Sequence, residues 1–305
     1  MNILVIGGHG QVGTELVQQP EAFNFKVVAP PSSELDITKP DSIQHCIDRK
    51  DIGMVINAAA YTAVDKAESE PDRAFAINRD GAGNVASACA EFEIPLIHLS
   101  TDYVFDGSKK TPYTEDDPLS PLGMYGESKA QGEQAVQQSY QQHIILRTSW
   151  VYGLQGHNFV KTMLRLGTER NELRIVADQY GCPTSARDLG TVILNIAGQI
   201  LAGNDTHWGI YHYCGAGQTN WFEFARAIFD QAALLAKNVE SAKRYSSLQL
   251  SPITTDEYPT PAQRPPYSVL DCARIQEIFD IQQARWQESL EEMLNRYLAI
   301  FEQDN

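Results

Sequence analysis

Tyr125 and Lys129 stand four residues apart in the stretch Tyr125-Gly126-Glu127-Ser128-Lys129. On a helix that spacing puts both side chains on one face. A tyrosine at its ordinary pKa of about 10 is a poor acid–base group at neutral pH. A neighbouring ammonium favours the phenolate and lowers that value. Such a pair can exchange a proton with a carbonyl oxygen. The spacing alone is common, and its plainer meaning is an exposed helix pair. Its context gives it weight here: a strand ending Leu99-Ser100-Thr101 precedes it, and a glycine cluster opens the chain.

That cluster is Gly7-Gly8-His9-Gly10-Gln11-Val12-Gly13, a G-x-x-G-x-x-G pattern directly after the apolar run Ile3–Ile6. Glycines there allow a sharp turn, a close approach of backbone to a pyrophosphate, and tight packing of helix on strand. The helix that starts within the motif offers free N–H groups and partial positive charge to phosphate. A ligand-free glycine turn is the alternative, but the place in the chain favours a dinucleotide. Lys129 could then also hydrogen-bond a nicotinamide ribose.

The acid expected at the end of the second strand, where it would grip a ribose 2′-OH, is missing: the sequence reads Val28-Ala29-Pro30-Pro31-Ser32-Ser33. NADPH is therefore admitted as well as NADH, although no arginine stands there to hold a 2′-phosphate. Asp36, with Ile37, is expected beside the adenine, unless Asp36 only caps the next helix. The third strand ends in Asn57-Ala58-Ala59-Ala60-Tyr61-Thr62, whose small side chains would let a cofactor approach the backbone.

The elements around these residues alternate. Strands are expected at Ile3–Ile6, Phe25–Ala29, Met54–Asn57, Pro95–Ser100 and His143–Arg147. Helices are expected at Gly13–Gln19 (stopping at Pro20), Asp41–Arg49, Pro71–Glu93 and Leu122–Tyr140. This order implies an α/β fold, a doubly wound parallel sheet of the Rossmann kind. The second half is less regular, with helices expected at Asn158–Glu169, Ala186–Leu201, Trp221–Leu235 and Trp286–Phe301, and a Pro/Thr-rich loop over Ser251–Pro266. We place a dinucleotide-binding domain over residues 1–152 and a smaller α/β substrate domain over 153–305. The helix 186–201 is expected to return to the first domain.

The net charge of −15, without a dense Lys/Arg cluster, disfavours nucleic acid and anionic membrane as partners. A phosphate-bearing ligand must then be held by local groups. Five cysteines, an odd number with no CxxC pair, argue against a disulfide framework or a zinc site and fit a reducing, cytoplasmic setting. The N-terminus has no basic region before a long apolar run, and no stretch has transmembrane length.

Gly7–Gly13, Ser100-Thr101-Asp102-Tyr103-Val104-Phe105 and the Tyr125/Lys129 pair resemble the extended short-chain dehydrogenases. More narrowly, the chain resembles the dTDP-4-dehydrorhamnose reductase family. The similarity lies in Asn57–Glu68, Arg147–Tyr152, Asn158–Leu164, Asp178–Thr184 and Arg264-Pro265, and it runs nearly end to end. The resemblance implies NAD(P)H-dependent reduction of the C4 keto group of dTDP-4-dehydro-L-rhamnose to dTDP-L-rhamnose, for cell-surface polysaccharide. By position it implies Thr101, Tyr125 and Lys129 as catalytic residues. It implies Thr101, Asp102 and Trp150 as substrate contacts, with Arg264 at the diphosphate. Cofactor contacts are implied at His9 to Val12, Asp36, Ile37, Ala60 to Thr62, Tyr125 and Lys129. Trp150, after an apolar strand, also suits a plain core position.

There are departures from the family pattern. Tyr267 replaces an Asn in Arg264-Pro265-Pro266-Tyr267-Ser268. Some members hold Mg²⁺ at a homodimer contact; Glu15 matches one ligand, but Arg187 stands where a second acid is expected. Two rival readings remain at this point. One is a sugar-nucleotide epimerase or dehydratase, although dehydratases add an acidic pair after the threonine and only Asp102 follows Thr101 here. The other is a non-catalytic NADP-binding subunit similar to the regulatory subunit of methionine adenosyltransferase.

Overall fold

A computed structural model describes residues 2–19, 23, 25–49, 51–203 and 207–301; Pro20, the expected stop of the first helix, lies outside them. The first half of the chain carries strands β1 (Asn2–Ile6), β2 (Lys26–Val28), β3 (Ile52–Asn57), β4 (Leu96–Thr101) and β5 (His143–Thr148). Helices α1 (Gln11–Gln18), α2 (Pro40–Arg49), α3 (Val64–Ala67), α4 (Pro71–Phe75), α5 (Ala82–Glu91) and α6 (Met124–Ser139) lie between them. The second half adds β6 (Val151–Tyr152), β7 (Glu172–Val176), β8 (Tyr180–Gly181), β9 (Thr184–Ser185), β10 (Gly209–His212), β11 (Thr219–Asn220) and β12 (Gln249–Ile253). Its helices are α7 (Phe159–Glu169), α8 (Ala186–Leu201), α9 (Trp221–Leu235), α10 (Val239–Ser246), α11 (Ala273–Phe279) and α12 (Trp286–Phe301).

Six strands form one sheet in the order β10-β5-β4-β3-β1-β2, every pair parallel. The apolar runs of β1, β3 and β5 suit burial on both faces. Met54, Ile56 and Ile97 face one core with Leu16 of α1 and Leu189 and Ile193 of α8. Val55, Leu96 and Ile145 face the other with Ile43 of α2, Val85 of α5 and Val136 of α6. The chain leaves β1 for β2, then returns to the other side at β3. That reversal opens a crevice at the carboxyl ends of the strands, where doubly wound sheets bind ligands.

Two stretches after residue 152 build on this sheet: α8 packs along α1, and β10 adds an edge strand beside β5, with Ile210 opposite Ile145. Most of the remaining late elements enclose a separate apolar core of Leu164, Leu173, Phe224, Ile228, Leu290 and Leu294, while α11 returns Ile275 and Phe279 to the core beside α8.

Two expectations need correcting. The stretch expected as one helix over 71–93 is helical from Pro71 to Glu91 but not α-helical throughout: α4 and α5 run on through a π-helical turn, Ala76–Gly81. The loop expected from Ser251 begins inside β12, which pairs with β7, so Pro252 sits opposite Ile175. A proline is tolerated there because the sheet has only two strands and β12 has a free edge. The five cysteines are buried thiols, none of them in a disulfide, and two that are distant in sequence meet, with Cys214 and Cys272 Sγ atoms 3.7 Å apart.

Candidate active site

The turn after β1 is built by close contact. Gly7 has φ +83°, and a Cβ on it would lie 2.6 Å from the Ala59 nitrogen. A Cβ on Gly13 would fall 2.0 Å from the Gly7 carbonyl oxygen. No side chain fits either place, so α1 starts hard against the strand ends. The Gly10 N–H donates to the Gly7 carbonyl at 2.9 Å, closing the turn. The N–H groups of Gln11, Val12 and Gly13, in the first turn of α1, have no partner earlier in the helix and concentrate its positive end there.

The opposite wall is placed by α6. Its first N–H, on Met124, donates to Glu68 Oε1 at 2.8 Å. Gly126 lets the helix touch the turn after β4, since a Cβ there would lie 2.2 Å from the Tyr103 carbonyl oxygen. The Tyr125 ring therefore stands edge-on to Tyr103, with centroids 5.5 Å apart. Thr101, the last residue of β4, accepts from the Tyr103 N–H at 3.2 Å and donates to Asp102 Oδ1 at 3.1 Å. Lys129, one turn beyond Tyr125, is 2 % exposed, and its Nζ donates to the Leu99 carbonyl at 2.6 Å.

The π-helical turn in 76–81 serves this wall. It brings Asn78 to the loop after β3, where its side chain accepts from the Tyr61 N–H at 2.8 Å and donates to the Tyr61 carbonyl at 3.0 Å. The same amide donates to Ser128 Oγ, which donates in turn to the Tyr125 carbonyl at 2.8 Å. Asn78 thus ties the Ala58–Thr62 loop to the helix that carries Tyr125 and Lys129. Gly132 permits the contact, for a Cβ there would lie 2.0 Å from the Asn78 carbonyl oxygen. π-turns are frequent at functional sites because they redirect one backbone segment without ending the helix.

Electrostatics differ from the simple expectation for a Tyr/Lys pair. Desolvation pushes the Tyr125 hydroxyl up to about 12, with the Thr101 hydroxyl opposing and the Asp102 charge adding. Lys129 does not lower it in this arrangement, because its ammonium is turned to the Leu99 carbonyl. Burial lowers Lys129 itself to about 8, against the pull of Glu133. Burial also raises Asp102 to about 6.

These parts border one cleft of about 1130 Å³. Gly7, His9, Gly10, Gln11 and Val12 line one end, and Pro31, Ser32, Asp36, Ile37 and Thr38 a second. Ala58, Ala59, Ala60 and Thr62 form its floor, and Thr101, Asp102, Tyr125, Lys129 and Trp150 its far part. Asp36 does not cap α2; its carboxylate accepts from the Thr38 N–H at 3.0 Å and pairs with Lys39 at 3.3 Å. A dinucleotide fits the residues present: a side-chain-free cradle lies at the helix start, and at the far part the buried Thr148 Oγ1 has no hydrogen-bond partner among the described residues.

Three expected contacts do not line the cleft. Gly13 is covered by the Gly7 backbone. The Tyr61 side chain turns away, donating to Glu70 at 2.9 Å. The Arg264 guanidinium is held by Asp65 at 2.9 Å and by the Ala262 carbonyl at 3.0 Å. Nor does Glu15 meet a partner acid at Arg187. It accepts from Gln19 at 3.3 Å, Arg187 pairs with Glu292 at 2.8 Å, and among the described residues no three His, Cys, Asp or Glu side chains cluster as a metal site.

Trp150 has the left-handed φ of +47°, which is uncommon for a bulky residue and strained. Its indole is clamped between Gly181 and the ring of Trp221, stacked 3.5 Å away at 7°. The strain is borne by that stacking and by the Trp150 carbonyl, which accepts from the Thr184 N–H at 3.2 Å. Trp221 also lines the cleft. Sequence reading passes over it as the first residue of a helix. Only the 71-residue separation collapsed by folding brings it to Trp150.

The chain matches the family model described as the RmlD substrate binding domain over residues 1–299. It is 43 % identical to a dTDP-4-dehydrorhamnose reductase of Aggregatibacter actinomycetemcomitans, over 94 % of this chain and 96 % of that one. The crystal structure of a dTDP-4-dehydrorhamnose reductase from Clostridium acetobutylicum is similar with a TM-score of 0.88 and 37 % identity, covering 97 % and 99 % of the two chains. That of the Bacillus anthracis dTDP-4-dehydrorhamnose reductase, in complex with NADP, has a TM-score of 0.86 and 35 % identity, covering 97 % and 100 %. With the glycine turn, the Thr101–Tyr125–Lys129 wall and the full-length match together, this chain belongs to the dTDP-4-dehydrorhamnose reductase family.

Proposed function

We propose that the protein reduces the C4 keto group of dTDP-4-dehydro-L-rhamnose to dTDP-L-rhamnose with NADPH. The observation that carries this is the meeting of Thr101, Tyr125 and Lys129 in a cleft that continues to the glycine turn. Bound NADPH supplies the hydride. The first-turn N–H groups of α1 would hold its pyrophosphate, and Lys129 would hold the nicotinamide ribose. Thr101 turns its hydroxyl from Asp102 to the substrate carbonyl, and Tyr125 delivers a proton to the carbonyl oxygen. Tyr125 is neutral at physiological pH and so carries the proton this direction needs.

The cofactor end supports NADPH. Pro30, Pro31 and Ser32 offer no carboxylate to repel a 2′-phosphate, and Asp36 is engaged with Thr38 and Lys39. The test is NADPH and NADH oxidation with a small panel of 4-keto sugar nucleotides. Turnover, with kcat/KM for NADPH at least equal to that for NADH, is expected. A strong NADH preference would show that another group reads the 2′-OH, and absence of turnover with every substrate would favour a non-catalytic NADP-binding protein.

Trp150 and Trp221 form the wall beside Thr101, and we assign Trp150 to the sugar nucleotide. Trp150→Ala is expected to raise substrate KM about tenfold, the scale of one lost aromatic contact, with NADPH affinity nearly unchanged. Unfolding, or equal loss of cofactor binding, would make it a core residue only.

A further inference from the structure

Behind Lys129, away from the cleft, lies a buried row of charged and polar groups. Glu133 is one turn further along α6 and fully buried. It takes two hydrogen bonds from Arg147 of β5, Nε to Oε1 at 2.9 Å and Nη2 to Oε2 at 2.7 Å. Arg147 is 1 % exposed, and its Nη1 lies 3.3 Å from His212 Nε2 on β10. An arginine can only donate, so His212 Nε2 accepts. The proton of His212 is therefore on Nδ1, which donates to the Tyr113 carbonyl at 3.1 Å. His212 is fixed as a neutral ring in one tautomer, consistent with burial beside Arg147 taking it down to about 3.

Lys129 must be cationic to bind a ribose hydroxyl as a donor and to stabilise a developing phenolate. Burial opposes this. From β4 it faces His98, a buried ring that its own burial and Lys129 keep neutral, with His143 of β5 beyond it. On α6 it faces Tyr125, which is neutral, and Glu133. Asp102, in the turn after β4, is engaged with Thr101. Arg147 faces Glu133 and His212 rather than Lys129. Among the described residues, Glu133, on the same helix face one turn on, is the carboxylate whose charge acts on the ammonium.

We propose that Glu133 is a positioning residue that keeps Lys129 in its charged form, and that Arg147, braced by the single tautomer of His212, fixes Glu133 in that role. The inference rests on the reading of Lys129 as the lysine of the reaction. A bidentate guanidinium leaves the carboxylate no freedom to rotate, so its charge stays one helical turn from the lysine. The row thus couples an interior ion pair, which would otherwise be only structural, to the protonation state of a cleft residue.

The test reads Lys129 directly and separately from turnover. Protein labelled with ¹³C at lysine Cε is titrated by NMR, with Lys129→Met to assign the signal, and the pH profile of NADPH oxidation is recorded alongside. Glu133→Gln keeps the shape and removes the charge. Because it strands the buried Arg147 and can prevent folding, the paired Glu133→Met/Arg147→Met variant is made as well, replacing both charges by apolar groups. The Lys129 midpoint is expected to fall from its value of about 8 by about one pH unit in Glu133→Gln and by less in the paired variant, where loss of the Arg147 cation offsets part of the change, and the alkaline limb of turnover is expected to move with it. A midpoint that falls without turnover in any form, wild type included, supports the coupling and removes the reductase reading instead. An unchanged midpoint in a folded variant overturns the proposal.

Discussion

Replacing Tyr125 by Phe is expected to lower kcat by about 10²–10⁴, the usual loss when a positioned general acid is removed. The substitution deletes one oxygen and keeps the ring that stands edge-on to Tyr103. Packing at the start of α6 is therefore expected to survive, and so is cofactor binding, which the proposed function gives to the α1 turn and Lys129. Lys129→Met is expected to lower kcat too and to weaken NADPH binding with it, because the proposed function gives one ammonium both tasks. The pH profile separates the two residues. With Tyr125 pushed up to about 12 and Lys129 lowered to about 8, the alkaline limb of the reduction belongs to Lys129. Activity is thus lost as pH rises through about 8, where the ammonium loses its proton. The residual activity of Tyr125→Phe is expected to keep that limb. Steady-state NADPH oxidation with fluorescence titration of the cofactor checks both points. Near-normal turnover in Tyr125→Phe would remove it as the proton donor.

Much of this site was readable because its logic is local. The Tyr125/Lys129 face follows from helical spacing, and the glycine turn from a strand run followed by small residues. The first five strands are readable because runs such as Ile3–Ile6 and Ile144–Leu146 are apolar throughout, as strands buried on both faces are. What stayed hidden depends on distant partners. Nothing in Ala76–Gly81 announces a π-turn; it exists where Asn78 meets Tyr61 and Gly132. Strand β10 is four residues long and gains its place only from pairing with β5. Arg264 looks free in a proline-rich loop, but folding brings Asp65 to it across 199 residues.

The electrostatic reading of the pair shows the same boundary. Four-residue spacing correctly implies one face, yet it says nothing of what else that face touches. Lys129 reaches the Leu99 carbonyl, and desolvation rather than Lys129 dominates the Tyr125 hydroxyl. The left-handed backbone of Trp150 is another case. No residue type at that position signals it, and it is held by Trp221 and Gly181, which arrive from later elements.

Gly13→Ala is expected to damage both stability and cofactor binding, although Gly13 does not line the cleft. The added Cβ would fall 2.0 Å from the Gly7 carbonyl oxygen, 2.7 Å from the Gly7 carbonyl carbon and 2.7 Å from Gly8 Cα. Each of these is backbone, so no side chain can swing aside. Either α1 moves off the end of β1 or the turn at Gly7 opens. Gly7 cannot yield easily, because its own Cα faces the Ala58–Ala59 backbone at φ +83°. Overpacking of this kind costs about 1–3 kcal/mol, and occasionally more. On the proposed reading the displaced parts present N–H groups to the pyrophosphate, so NADPH affinity is expected to fall by about 5–150-fold, the equivalent of that energy. Gly10→Ala is the control. Its Cβ would meet only the Gly7 carbonyl oxygen, at 3.3 Å, while Gly10 itself lines the cleft. It should melt close to wild type yet bind NADPH less well, because the methyl group enters the space of the ligand. Thermal melts and NADPH titrations of the two variants separate a packing glycine from a contact glycine. A Gly13→Ala protein with wild-type Tm and wild-type NADPH affinity would show that the strand–helix contact is looser than the turn geometry requires.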